Sequence, residues 1–354
     1  GIELLLNTAV KSFEENGDKL TVHFNDNSTI ETDYVILSIG VRPDIKLAAN
    51  AGLKIGEAKG ILVNEYLQTS HPDIYAVGDA IEFKNPITKK SMSTFLAGPA
   101  NKQGRICANN IVNNNSSTYN GAINTAIVKL FDLTVGTTGM AAKHLKGAAI
   151  PHLVSTTRSS SHASYYPNAK QLTIQITFSP DTQQLLGAQV IGEEGADKRL
   201  DILATLIKNK GTIYDLMEVE HAYAPPYSSA KDPVNMAGFV ADNIINKTLR
   251  VEQWDIFETK FRQTPNAILI DVRNPDEFAG GAIEGAINIP IDILRSKISE
   301  LQKDAPIFVY CAIGLRGYLA QRILLQNGFT QVSNLSGGYT LWNTCKIEQG
   351  ISNK

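Results

Sequence analysis

Cys311 closes an apolar run, Ile307-Phe308-Val309-Tyr310, and Arg316 follows where a helix begins. The run predicts a buried strand. A strand that ends in cysteine and turns into a helix places the thiol inside a curved loop whose amides point inward. The helix N-terminus just beyond favours a thiolate. A thiolate is a nucleophile, and the same amides can stabilise a persulfide anion. Arg316 adds positive charge at the loop rim, suited to anionic sulfur donors such as thiosulfate. The other two cysteines have no such setting. Cys107 has apolar helical neighbours, and Cys345 lies late and outside the loop; both read as packing thiols.

Two other stretches could carry chemistry. Ile74-Tyr75-Ala76-Val77 reads as a short buried strand running into Gly78-Asp79. Glycine lets backbone approach a ligand closely, and the Asp79 carboxylate can accept hydrogen bonds from a sugar-like hydroxyl chain. Tyr223-Ala224-Pro225-Pro226-Tyr227 contains consecutive prolines that hold an extended backbone and present a side chain at a constant position. Upstream, Ser164-Tyr165-Tyr166-Pro167 offers further phenols. His162 and His221 lack the Cys or carboxylate spacing of a metal site, so no metal is assigned.

The elements that must position these residues fall into four segments. Residues 1–42 hold a strand with period-two alternation, Leu20 to Phe24, and a near-continuous apolar run, Tyr34 to Gly40, which predicts a buried parallel strand. Residues 43–118 mix turns, a strand and a helix whose apolar stretch covers Gly104 to Ile111. Residues 119–247 read as α+β, with strands at 125–130, 172–178 and 185–191 and helices at 196–208 and 233–246. Residues 248–354 alternate strand and helix, at 267–272, 291–302, 307–310 and 319–326, which predicts a small α/β unit with a parallel sheet. The chain has 354 residues, 43% hydrophobic and 19% charged, with net charge -2. That is enough apolar material for packed cores and excludes a disordered chain or a coiled coil. There is no basic excess for nucleic acid and no apolar run of the roughly 18 residues a membrane span needs. Three sparse cysteines fit a reducing, cytoplasmic setting. Gly1 to Val10 shows no secretory pattern and reads like the middle of a domain.

Three resemblances follow. The stretch Thr69 to Ala80 resembles the second flavin motif of the two-dinucleotide-binding-domain flavoproteins. Ser38-Ile39-Gly40-Val41-Arg42-Pro43-Asp44 resembles the segment that links their NAD domain back to the FAD domain, and Leu96-Ala97-Gly98-Pro99 resembles the helix start that faces the flavin ring. Leu269-Ile270-Asp271-Val272-Arg273 through Phe278, Gly281 to Pro290, the Cys311 loop and Asn334 to Trp342 resemble a rhodanese domain, with Ala282 where a His is common. The two tyrosine stretches resemble the dimerisation domain of coenzyme A-disulfide reductases and related NADH oxidases.

The resemblance implies a coenzyme A-disulfide reductase, a pyridine nucleotide-disulfide oxidoreductase, with a fused C-terminal rhodanese domain and with its N-terminal part outside this chain. Its fold is a multidomain α/β and α+β assembly of partial FAD- and NAD(P)-binding domains, an α+β dimerisation domain and a rhodanese-like α/β domain with a parallel sheet. It implies FAD and NAD(P)H as cofactors, with Gly40, Gly78, Asp79, Ala97 and Gly98 at the cofactor, and coenzyme A as a further ligand. Tyr165 and Tyr223 would face the redox cysteine of the partner subunit in a homodimer. The substrates would be small disulfides, persulfides, polysulfides or thiosulfate-like donors. Glu193 to Arg199 reads as a capped, solvated helix start, or as a place that meets coenzyme A phosphates. Asp271 and Arg273 read as structural. No G-x-G-x-x-G turn for dinucleotide pyrophosphate occurs in the chain, so weak FAD retention by this chain is expected. Two rival readings stand beside this one: an NADH oxidase or peroxidase, and a non-redox dimerising scaffold that retains only sulfur transfer.

Overall fold

In the computed structural model, residues 3 to 351 are described, with side chains through 346. Residues up to 42 with those from 343 onward form one unit, and residues 43 to 342 another. In the first, Val10–Asn16, Lys19–Phe24 and Thr29–Thr32 make an antiparallel sheet. Gly17, at φ 63°, makes the first turn. The central strand buries Val22 and Phe24, as its alternation predicts. The run from Tyr34 to Gly40 is not the buried strand expected of it. It joins no ladder among the described residues, and Tyr34, Ile36 and Ile39 are 87%, 91% and 87% exposed. Apolar content does not make a strand without a neighbour to take its backbone hydrogen bonds.

The larger unit begins with Ile61–Leu62 pairing parallel with Ile81–Lys84, which pairs antiparallel with Ser91–Met92. Leu67, Ile81, Phe83 and Ala122 form a small core, with Ile106 and Cys107 packed on it. Burial pushes the Cys107 thiol up. The strand expected over Ile74 to Val77 is reduced to one bridge, Gln68 to Tyr75, and Ile74 and Val77 are exposed at the surface. A turn closed by the Ile74 amide on the His71 carbonyl leaves too short a segment before Gly78 for a ladder. Helix Ala97–Val112 follows.

Next is a five-stranded antiparallel sheet, ordered Ala126–Leu130, Leu133–Gly139, Leu185–Gly192, Gln171–Phe178, Leu153–Ser160. Leu172, Ile174 and Ile176 alternate onto the face covered by helices Ala196–Lys208 and Pro233–Ile245. The second helix starts with Pro233 after a capping box of Asp232 and Asn235.

The last sheet is parallel, ordered Val251–Glu252, Val332–Leu335, Ile307–Tyr310, Ile268–Asp271, Ala286–Asn288. Its central strand is buried on both faces. Ile307 and Val309 join one core, and Phe308 and Tyr310 join the other. That explains the unbroken apolar run before Cys311. The helix expected over 291–302 is Ile291–Lys297 followed by a 3-10 turn, Ile298–Glu300. The helix expected from 319 starts earlier, as Leu315–Gln326, so its first turn is part of the cysteine loop.

Candidate functional site

Cys311 is 1% exposed at the end of the central strand. The Gly314 amide donates to its Sγ at 3.1 Å. Gly314 has φ 114° and stands before the first residue of the helix, so a glycine is what lets the chain bend round the sulfur. The loop is held from outside. The Tyr339 amide donates to the Cys311 carbonyl at 2.8 Å, and the Thr340 amide to that of Ala312 at 3.0 Å. Gly338, at φ 70°, brings the closing helix against the loop; a Cβ there would lie 2.5 Å from the Ala312 carbonyl oxygen.

Arg316 is less free than its sequence position suggests. Its two terminal nitrogens donate to Glu277, both at 2.7 Å. The Arg316 guanidinium beside Glu277 holds that carboxyl down at about 2. The rim therefore carries an ion pair rather than a lone positive charge. Glu277 was not singled out from the sequence. Its local signal is that of a capping residue, since it also accepts from the Asn274 amide at 3.0 Å. Beneath the loop, Arg273 is buried on Asp271 at 2.6 Å and lies 4.1 Å from the Tyr339 ring centre. It also donates to the Gly281 carbonyl at 2.6 Å. This agrees with a structural role for Asp271 and Arg273. Burial pushes the Tyr310 phenol up, and its oxygen accepts from the Ile283 amide at 3.1 Å.

Tyr165 and Tyr223 are brought together. A hydrogen bond with Tyr223 pushes the Tyr165 phenol up, and the two residues are 77% and 50% exposed. Their loops are tied by the Ala163 amide, which donates to the Ser228 carbonyl at 3.0 Å. Below them Arg199 is buried. It donates through Nη2 to Asp232 at 2.7 Å and to the Ser161 carbonyl at 2.7 Å, and the Ser228 hydroxyl donates to the same carboxylate at 2.5 Å. Burial pushes Asp232 up, but these donors pull it below the usual range. The helix entry at 193–199 is thus not simply solvated: it ends in a buried arginine that ties the helix to Ser161 and Asp232. His221, lowered mainly by burial, lies 3.9 Å from Asp232. Neither tyrosine hydrogen-bonds Cys311.

Gly78, at φ 79°, starts a 3-10 turn over Gly78–Ala80, and its amide donates to Gln103 of the following helix at 2.6 Å. That bond sets Asp79 near the helix that begins Ala97-Gly98. The Asp79 carboxylate is exposed and has no partner among the described residues, and Ala97 and Gly98 are exposed too. An open carboxylate beside free first-turn amides fits a ligand with hydroxyls and an electron-rich ring. Gly40, at φ 84°, belongs to the smaller unit and is described there alone. Among the described residues no group of three His, Cys, Asp or Glu side chains could hold a metal ion, and no helix is long and apolar enough to cross a membrane.

Comparison with known proteins finds three family models along the chain. These are pyridine nucleotide-disulphide oxidoreductase over residues 1–104, the dimerisation domain of the same group over 125–233, and a rhodanese-like domain over 256–345. A coenzyme A disulfide reductase of Staphylococcus aureus is 33% identical over 64% of this chain and 51% of its own length. An NADH oxidase of Methanocaldococcus jannaschii is 34% identical over 67% of this chain and 52% of its own. The chain spans about half the length of these curated relatives. Among solved structures, reduced Bacillus anthracis CoADR-RHD matches with TM-score 0.91 and 45% identity, over 96% of this chain and 60% of that one. A NAD-dependent persulfide reductase from A. fulgidus matches with TM-score 0.86 and 35% identity, over 95% and 60%.

Proposed function

The chain belongs to the pyridine nucleotide-disulphide oxidoreductase family and carries a rhodanese-like domain, and from that premise we propose that it serves FAD-dependent, NAD(P)H-driven reduction of disulfides, persulfides or polysulfides, with Cys311 as the nucleophile that carries sulfur. The observation that carries this reading is the Gly314 amide on the buried Cys311 sulfur, in a loop that opens a helix.

The sulfur step balances on the chain's own residues. The Cys311 sulfur attacks the outer sulfur of thiosulfate. The S–S bond breaks, sulfite leaves with the electron pair, and Cys311 keeps a persulfide. Cyanide then removes the outer sulfur as thiocyanate and returns the thiolate. The Gly314 amide holds the anion in both forms. Arg316, fixed by Glu277, orders the loop rim and moderates its charge.

Gly78, Asp79, Ala97 and Gly98 would hold FAD, with Gly40 in the returning segment; when bound, FAD supplies two-electron transfer between NAD(P)H and a disulfide. Asp79 would accept from its hydroxyl chain. Tyr165 and Tyr223 would stand at the redox cysteine of a second subunit and give a proton to the departing thiolate of a coenzyme A disulfide or persulfide. A phenol is protonated at neutral pH, and the Tyr223 contact moves the Tyr165 phenol further in that direction. The expected unit is a homodimer working in the cytoplasm. An NADH oxidase would need neither the sulfur loop nor the phenol pair.

The test is sulfur transfer from thiosulfate to cyanide by the 354-residue chain. Cys311→Ser should abolish thiocyanate formation, and intact mass should show one added sulfur on the wild type after thiosulfate alone. Unchanged turnover in the variant would remove Cys311 from the reaction.

A further inference from the structure

A cavity of about 460 Å³ lies between the strand Leu153–Ser160, the helix Pro233–Ile245 and the turn after Cys311. Its wall includes Arg158 and Lys231 and no carboxylate. Arg158 has no ion pair or side-chain hydrogen bond among the described residues, and its Nε is buried without a partner. Arg158 is half-buried, and it differs from the two buried arginines, which are matched: Arg199 by Asp232 and Arg273 by Asp271. A guanidinium drawn out of water costs stability unless an acceptor offsets it. Here the space in front of it is empty of protein acceptors with charge. The rest of the wall is mixed. Phe239, Leu249 and Tyr318 give apolar surface, and the hydroxyls of Ser160 and Ser164 give neutral donors. Asn334 is 3% exposed, and its Oδ1 has no partner.

We propose that this cavity binds an organic anion, with a sulfonate, phosphate or carboxylate head against Arg158 and Lys231 and an apolar body against Phe239, Leu249 and Tyr318. Its wall includes Ile313, Gly314 and Leu315, so an occupant rests on the turn whose amide holds the Cys311 sulfur. The site is separate from the sulfur itself, because Cys311 is not part of the wall.

The experiment is calorimetric titration of the full chain with benzenesulfonate and with its neutral isostere benzenesulfonamide. The sulfonate should bind at least about tenfold more tightly, as expected for charge-assisted hydrogen bonds. Arg158→Met should weaken the sulfonate about tenfold and leave the sulfonamide unchanged. Lys231→Gln, at an exposed position and so safe for folding, should weaken it about threefold and make the affinity less sensitive to salt. Cys311→Ser should bind like the wild type while losing sulfur transfer, which keeps this site distinct from the proposed function. Equal affinity for the two probes, no binding of either, or unchanged binding in Lys231→Gln would overturn the proposal. Loss of binding in Cys311→Ser would also overturn it, by placing the anion at the sulfur loop.

Discussion

Two single residues decide how the sulfur loop behaves. Glu277 has its carboxyl at about 2 because Arg316 donates to it twice. A depressed carboxyl pKa adds stability above its unfolded value near 4.5 and loses it as pH falls toward 2. Glu277 is about a third exposed, so solvent screens the pair, and about 1 kcal/mol is the expected contribution. Glu277→Gln should therefore be less stable than wild type by about that amount in urea at pH 7, with the gap closing as pH falls from 4.5 to 2. A gap that stays constant down to pH 2 would show that the ion pair is not its source. Gly338→Ala acts through shape. It puts a side chain at φ 70° and 2.5 Å from a carbonyl oxygen. A left-handed alanine alone costs about 1–2 kcal/mol. The backbone oxygen cannot swing away as a side chain would, so a total loss above ~2 kcal/mol is expected, together with weaker sulfur transfer. Melting within a degree of wild type would contradict that contact. Cys311 was legible from the sequence because strand, thiol and helix are local. Its two controls were not: Glu277 lies 39 residues from Arg316, and Gly338 meets a loop far upstream.

Elements that carry alternating apolar residues were legible in the same way. The strand at 171–178 alternates and the helix at 196–208 has a helical period, and each packs as its period predicts. Legibility failed where an element depends on a neighbour. The run from Tyr34 to Gly40 has the composition of a buried strand, yet without a paired strand its side chains stand exposed. The helix entry at 193–199 failed for the opposite reason: its charge hid a long-range partner, Asp232. That carboxylate joins four things, the arginine, Ser228, the Val234 amide at the next helix start and, at 3.9 Å, His221. Removing it leaves Arg199 buried and unpaired and removes a helix cap. Losing one partner of a buried pair costs about 3–5 kcal/mol. Asp232→Ala should lose at least that much stability in denaturant and loosen Tyr165 and Tyr223, seen as faster amide exchange at residues 163–166 and 223–228. A loss under ~1 kcal/mol would mean the network is not what fixes the tyrosine loops.

At the scale of the molecule, the antiparallel sheet with its helices and the rhodanese-like domain have separate cores. Among the described residues, two side-chain hydrogen bonds cross between them, Tyr318 to Asn243 at 3.3 Å and Gln253 to the Val154 carbonyl at 3.2 Å, beside the cavity with the unpaired arginine. Each such bond contributes about 1 kcal/mol net, too little to couple two cores into one cooperative unit. The chain offers a built-in probe, because its two tryptophans, Trp254 and Trp342, both pack in one rhodanese-side core. Tryptophan fluorescence therefore reports that domain, while far-UV circular dichroism averages over all. In a urea titration the two signals should give midpoints that differ. An anion that bridges Arg158 to the turn after Cys311 would draw them together, since a ligand held by both sides stabilises only the joined state. Coincident midpoints for the free protein would show that the domains already unfold as one, and that the interface is stronger than its two hydrogen bonds imply.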